Sequence, residues 1–193
     1  MDALDVALFV GRAIDAAGGT YFVGGSLASS LQGEPRATND IDIVIDLPLG
    51  RVDTLIAELG PDFEVDREML FQALRTAGSC NIFYLPTVFK VDLFAVGLAP
   101  FDEMEFSRKR AAQVRMTGET LVVKSPEDSI LRKLWWYRLG NEVSDRQWRD
   151  VVQILVVNGI HLDASYLENW SRHLKVADLL ARARDAAKEV TGK

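Results

Sequence analysis

Hydrophobic positions change period repeatedly along the chain. Leu4, Ala7, Leu8, Val10 and Ile14 recur at helical spacing over residues 3–16, and Gly18-Gly19 stops the run. Thr20-Tyr21-Phe22-Val23 then predicts a short strand, and Gly24-Gly25 a tight turn into a short helix over Ser26–Leu31. Ile41 to Asp46 alternates apolar and acidic residues, the pattern of a strand with one face on a core. Val52–Leu59 reads as a helix closed by Gly60-Pro61, and Met69–Arg75 carries a weaker helical pattern. Ser79–Leu85 and Val88–Val96, separated by Pro86-Thr87, predict an antiparallel pair. A helix is expected over Phe101–Arg110, then a hairpin of Ala112–Met116 and Thr120–Val123 through Thr117-Gly118.

From Ser125 onward the pattern is helical throughout. Ser125-Pro126-Glu127-Asp128 combines an N-cap serine, proline at the first helical position and acids in the first turn. That helix is predicted to reach Leu139 and stop at Gly140-Asn141. A second runs from Asp145 to Val157, and further helical pattern covers Ala164–Glu189. The expected fold class is therefore α+β, with an α/β core over residues 1–124 and a helical lobe over residues 125–193.

Composition narrows the class. The chain has 193 residues, 48% hydrophobic and 26% charged, as an ordinary globular protein has. No apolar run approaches the roughly 18–20 residues needed to cross a bilayer. The acidic start, Met1-Asp2-Ala3-Leu4-Asp5, lacks the basic region of a signal peptide. A single cysteine, Cys80, forms no internal disulfide and reads as a strand core residue. Together these predict a cytoplasmic protein with no membrane partner. With only His161 and His173 besides that cysteine, a structural zinc site is not expected.

The net charge of −6 is unevenly distributed. Residues 1–66 hold three bases against twelve acids, a balance of −9, and the remainder holds nineteen against sixteen, a balance of +3. Acidity of this kind disfavours a large nucleic-acid footprint, although Arg172–Lys193 has six bases against three acids.

The candidate chemistry lies in the acidic half. Gly24-Gly25-Ser26 can bring backbone N–H groups close to a phosphate, and thirteen residues separate it from Asp40-Ile41-Asp42. Two aspartates at i and i+2 of a strand project from one face, and hard carboxylate oxygens favour Mg²⁺. On the later strand Lys90, Asp92 and Phe94 share a face, and Asp92 is either a third ligand or an edge-strand surface acid. Trp135, Trp136 and Tyr137 are consecutive on a helix, so at least one ring must be partly exposed. Arg146, Arg149 and Asp150 read as an inter-helix salt-bridge network, and Arg108-Lys109-Arg110 as a solvated face or an acceptor contact.

This ordered set, Gly24-Gly25-Ser26, Asp40-Ile41-Asp42 and then Asp92, resembles the nucleotidyltransferase superfamily that includes DNA polymerase β. The context Arg36-Ala37-Thr38-Asn39-Asp40-Ile41-Asp42 is similar to the minimal bacterial branch, which contains AbiEii-type abortive-infection toxins and other toxin–antitoxin proteins. So is Ser125-Pro126-Glu127-Asp128 opening a helix with Lys133, followed by Asp145-Arg146 and Trp148-Arg149-Asp150. The resemblance spans most of residues 20–157. It implies a mixed sheet with flanking helices, a C-terminal helical lobe, and transfer of a nucleoside monophosphate from an NTP with release of pyrophosphate.

By that resemblance Asp40 and Asp42 bind two Mg²⁺ ions (Mn²⁺ being an alternative), and Asp92 binds the catalytic one and draws the acceptor's proton. Gly24, Gly25 and Ser26 hold the triphosphate. Lys133 reaches a phosphate or is a solvated helix lysine, and Arg36 and Thr38 bind phosphate or tie down a loop. The acceptor is a protein hydroxyl, a tRNA 3′ end or a small molecule such as an aminoglycoside. A cognate toxin or antitoxin partner and a homodimer are both compatible. Two other readings stay open: a nucleotidyltransferase-like binding or antitoxin protein with dispensable catalysis, and an α/β domain with a coincidental motif.

Overall fold

A computed structural model describes residues 1–35, 37–38 and 40–192. They form two compact units, Met1–Leu27 with Ala37–Lys124, and Ala28–Arg36 with Ser125–Lys193. The protein is α+β, with a mixed sheet flanked by helices and a C-terminal helical region.

The first unit is built on seven strands: β1 (Thr20–Val23), β2 (Asp40–Asp46), β3 (Phe63–Val65), β4 (Ser79–Tyr84), β5 (Phe89–Ala95), β6 (Arg110–Gln113) and β7 (Thr120–Val123). Their order in the sheet is β3-β4-β5-β2-β1-β7-β6. Pairs β2/β5 and β1/β7 are parallel, and the others are antiparallel. Helices α1 (Ala3–Ala16), α3 (Val52–Leu59) and α4 (Arg67–Thr76) supply apolar faces to the core. Val6, Val10, Ile14, Leu55 and Leu70 from these helices join Ile41, Ile43, Ile45, Ile82, Val91 and Leu93 from the sheet in one buried cluster. Asp2 and Asp5 form a reciprocal capping box on α1, and Arg115 binds both carboxylates.

Cys80 is inside this core. Burial pushes its thiol up to about 11, with the Asp66 and Asp92 charges adding to the effect. The native protein should therefore be inert to Ellman's reagent at pH 8, and denaturant should release one reactive thiol. The same burial predicts alkaline destabilisation. Above the ordinary thiol value the unfolded chain loses this proton while the folded chain keeps it, so stability falls as pH rises towards about 11.

Among the described residues, the elements differ from the sequence expectation at three places. Phe63-Glu64-Val65, too short for a period to register, pairs with β4 as the edge strand β3. Helix α5 (Pro100–Ser107) ends before Arg110, because residues 110–113 pair with β7 as strand β6. In the second unit, the helical pattern after Ala164 divides into α8 (Ala164–His173) and α9 (Ala177–Thr191). Lys175 adopts φ 59°, and the Val176 N–H turns back to donate to Ser171 O at 2.8 Å. A left-handed residue ends a helix without any glycine or proline to announce it.

The second unit also holds α6 (Pro126–Leu139) and α7 (Asp145–Asn158). Ser125 caps α6, accepting from the Asp128 N–H and donating its hydroxyl to Asp128 Oδ2. Asp128 is fully buried and also accepts from the Tyr166 hydroxyl, so its polar atoms are satisfied inside the helical packing. Of the three consecutive aromatic residues, Tyr137 is buried and Trp136 is 52% exposed. Helix α2 (Gly25–Gln32) begins in the first unit and ends in the second. No helix among the described residues is long and apolar enough to cross a membrane.

Candidate active site

Alternation along two neighbouring strands assembles the acidic face. In β2, Ile41, Ile43 and Ile45 point into the core, which turns Asp40 and Asp42 to the opposite face. In β5, Val91 and Leu93 point inward, which turns Lys90 and Asp92 outward. The parallel register sets Asp42 opposite Asp92 and Asp40 opposite Lys90. Asn81 of β4 lies opposite Asp92 on its other side. Three carboxylates and one ammonium thus occupy one patch of the sheet.

Lys90 binds two of the carboxylates. Its Nζ is 2.9 Å from Asp92 Oδ2 and 3.6 Å from Asp40 Oδ1. Hydrogen bonding to Asp92 is the main reason its ammonium holds its proton above the ordinary lysine range, with the Asp40 charge contributing. Asp92 is far more enclosed than Asp40, its side chain 16% exposed against 63%.

The glycine turn is fixed to this patch by its backbone. Gly24 N–H donates to Asp42 O at 2.8 Å, and Gly25 takes φ 55°, a left-handed conformation suited to glycine. A Cβ at Gly25 would lie 1.7 Å from Asp42 Oδ2. The missing side chain is therefore the space in which the Asp42 carboxylate sits. Gly25 and Ser26 open α2, so the positive end of that helix lies beside the acids.

Beneath the turn is a buried ion pair that the sequence reading did not single out. Lys124, directly after β7, places its Nζ 2.6 Å from Glu105 Oε1 of α5. The two side chains are 7% and 5% exposed. A Cβ on Gly24 would lie 3.2 Å from Lys124 Cε, so the lysine stem forms the floor of the turn. The Lys124 ammonium also lies 5.4 Å from the centre of the Phe22 ring. Removing one charge from so enclosed a pair takes from the other its ion-pair partner at 2.6 Å. Glu105→Gln should lower stability by about 3 kcal/mol in urea melts, and pairing it with Lys124→Met should recover part of that loss.

The remaining predicted residues have other surroundings. The Thr38 hydroxyl donates to Asp40 O at 3.0 Å, tying down the approach to β2. Arg36 lies outside the described residues. Lys133 belongs to the second unit, where it pairs with Asp150 at 2.8 Å and joins α6 to α7. Arg149 pairs there with Glu34 at 2.6 Å. His161 and His173 belong to the second unit.

The donor set suits a hard divalent cation: three carboxylates on adjacent strands, with a glycine cradle around one of them. Among the described residues no three acidic, histidine or cysteine side chains are gathered into a ready-made cage. Lys90 already supplies a cation between two of the acids.

Comparison with solved structures resolves the fold. An antigenic nucleotidyltransferase-like protein from Paracoccidioides brasiliensis superposes with a TM-score of 0.58 at 18% identity, over 96% of this chain and 94% of that one. The solution structure of the antibiotic-resistance factor ANT(2″)-Ia covers 100% of this chain and 98% of its own, with a TM-score of 0.51 at 18% identity. The fold is that of the polymerase-β-like nucleotidyltransferases. A crystal structure of ANT(2″)-Ia in complex with adenylyl-2″-tobramycin also matches, with a TM-score of 0.53 at 14% identity, over 89% of this chain and 96% of that one. No family model matches the chain, and neither does any curated protein sequence.

Proposed function

We propose that the protein is a Mg²⁺-dependent nucleotidyltransferase that moves a nucleoside monophosphate from an NTP to a hydroxyl acceptor and releases pyrophosphate. The observation that carries this reading is the shared face of Asp40, Asp42 and Asp92 beside a turn in which Gly25 makes room for the Asp42 carboxylate. The likeness in fold to nucleotidyltransferases over nearly the whole chain supports it.

Asp40 and Asp42 would hold the cations, with Asp92 a ligand of the one nearer the acceptor. When bound, the metal ions supply charge neutralisation at the attacking and leaving oxygens. The chain's own residues have three tasks. The turn at Gly24, Gly25 and Ser26, backed by the start of α2, orients the triphosphate through backbone N–H groups and the serine hydroxyl. Asp92, whose side chain is only 16% exposed, accepts the proton of the acceptor hydroxyl as its oxygen attacks the α-phosphorus. The bond between that phosphorus and the bridging oxygen breaks, and pyrophosphate leaves. Lys124 acts below the turn as a positioning residue.

The acceptor is a small-molecule hydroxyl, a tRNA 3′ end or a protein hydroxyl, and a growth-restricting role in a toxin–antitoxin pair rests on the resemblance in sequence. Incubation of each α-³²P NTP and Mg²⁺ with aminoglycosides, total tRNA and cell extract sorts these. Label should enter one acceptor class in the presence of Mg²⁺ and none in EDTA. NTP binding with no labelled acceptor would favour the second reading, a nucleotide-binding partner protein.

A further inference from the structure

Lys90 has no task in the chemistry above, yet it is bound to two of the three acids. The parallel register puts its Cα opposite Asp40, and its Nζ reaches both Asp40 Oδ1 and Asp92 Oδ2. Asp92 is pressed against β4 and little exposed, so its charge needs a partner. The lysine side chain is 37% exposed, and its four-carbon stem leaves it room to swing towards solvent. One ammonium among three carboxylates leaves the patch at −2, so it still attracts a divalent ion.

We propose that Lys90 is a built-in counter-cation of the acidic patch, which a divalent ion must displace from Asp40 and Asp92 in order to bind. This rests on the nucleotidyltransferase reading. Without metal, Lys90 holds the carboxylates together against their mutual repulsion. When metal arrives, one cation is exchanged for another, and the protein's affinity for the free ion is lowered by the strength of the lysine contacts. Arginine at the same position would keep the competing charge, whereas methionine keeps the stem and removes it.

The test is Mn²⁺ binding to the nucleotide-free protein, followed by electron paramagnetic resonance. Wild type, Lys90→Met, Lys90→Arg and the remote control Lys188→Met are compared at low ionic strength. Lys90→Met should bind Mn²⁺ up to about fivefold more tightly than wild type, the upper end of what a partly exposed ion pair contributes. Lys90→Arg and Lys188→Met should match wild type. In EDTA, Lys90→Met should melt below wild type, and Mg²⁺ should raise its melting temperature by more. Equal Mn²⁺ affinities for Lys90→Met and wild type, with label transfer intact, would overturn the role of Lys90 and leave the proposed activity standing. Absence of Mn²⁺ binding in every variant, together with absence of transfer, would overturn both.

Discussion

Asp42→Asn should reduce nucleotidyl transfer by roughly 10³-fold, the loss expected when a group that stabilises transition-state charge is removed from a preorganised site. The change is nearly isosteric, so its effect separates charge from shape. Asp42 is central to the patch: it faces Asp92 across the strand pair, shares a face with Asp40, and fills the space left at Gly25. Its backbone oxygen accepts from the Gly24 N–H, a bond the substitution leaves in place. Thermal unfolding of the variant should stay within a few degrees of wild type, because β2 keeps its three buried isoleucines. Steady-state transfer and calorimetry on the same sample check both halves. A variant that is folded and fully active would show that this carboxylate does not serve the chemistry.

Gly25→Ala should be nearly as damaging, for a different reason. The left-handed conformation costs an alanine about 1 kcal/mol relative to glycine. The larger effect is steric, since the new methyl would overlap Asp42 Oδ2 at 1.7 Å. Either the carboxylate rotates away or the start of α2 shifts, and each misplaces a group by about 1 Å, enough to cost about 10²-fold in rate. Expected is a folded protein, destabilised by about 1–3 kcal/mol in urea, with transfer down by roughly 10²-fold. Gly18→Ala is the control: that residue is also left-handed, at φ 82°, but nothing lies within 4 Å of its Cβ position. It should lose stability without losing rate. Equal rates for Gly25→Ala and wild type would show that the fit between Gly25 and Asp42 has no part in the reaction.

The contrast between those two glycines shows where sequence reading reaches its limit. Both stand in a Gly-Gly pair at the end or start of a regular element, and both are legible as turns. Only the three-dimensional structure brings a carboxylate against one of them. The strands were legible for a simpler reason: Ile41, Ile43 and Ile45 mark a period of two, and Val91 and Leu93 do the same. That alternation alone puts Asp40 with Asp42, and Lys90 with Asp92, on common faces of their strands. It carries no register, so the pairing of Lys90 with Asp40, fifty positions away, was not readable.

Long-range polar pairs were hidden for the same reason. Glu105 lies in α5 and Lys124 just past the end of β7, and neither falls in a motif. An alternating signal could have flagged Lys124, which follows Val122-Val123 at the end of an apolar strand where a charge needs an explanation. The start of α6 was readable because Ser125, Pro126 and two acids act within one turn. The break between α8 and α9 was not, because Lys175 takes a left-handed conformation that its identity does not signal.

The measurement that bears most directly on the central claim compares two labels in one NTP. With Mg²⁺ and an acceptor identified from the panel above, α-³²P should enter the acceptor, while γ-³²P should appear only in pyrophosphate. Both signals should vanish together in Asp42→Asn. Transfer of the γ label to the acceptor would make the protein a kinase, and transfer of the α label at an undiminished rate by Asp42→Asn would place the chemistry elsewhere. Either result would contradict the proposed nucleotidyl transfer at Asp40, Asp42 and Asp92.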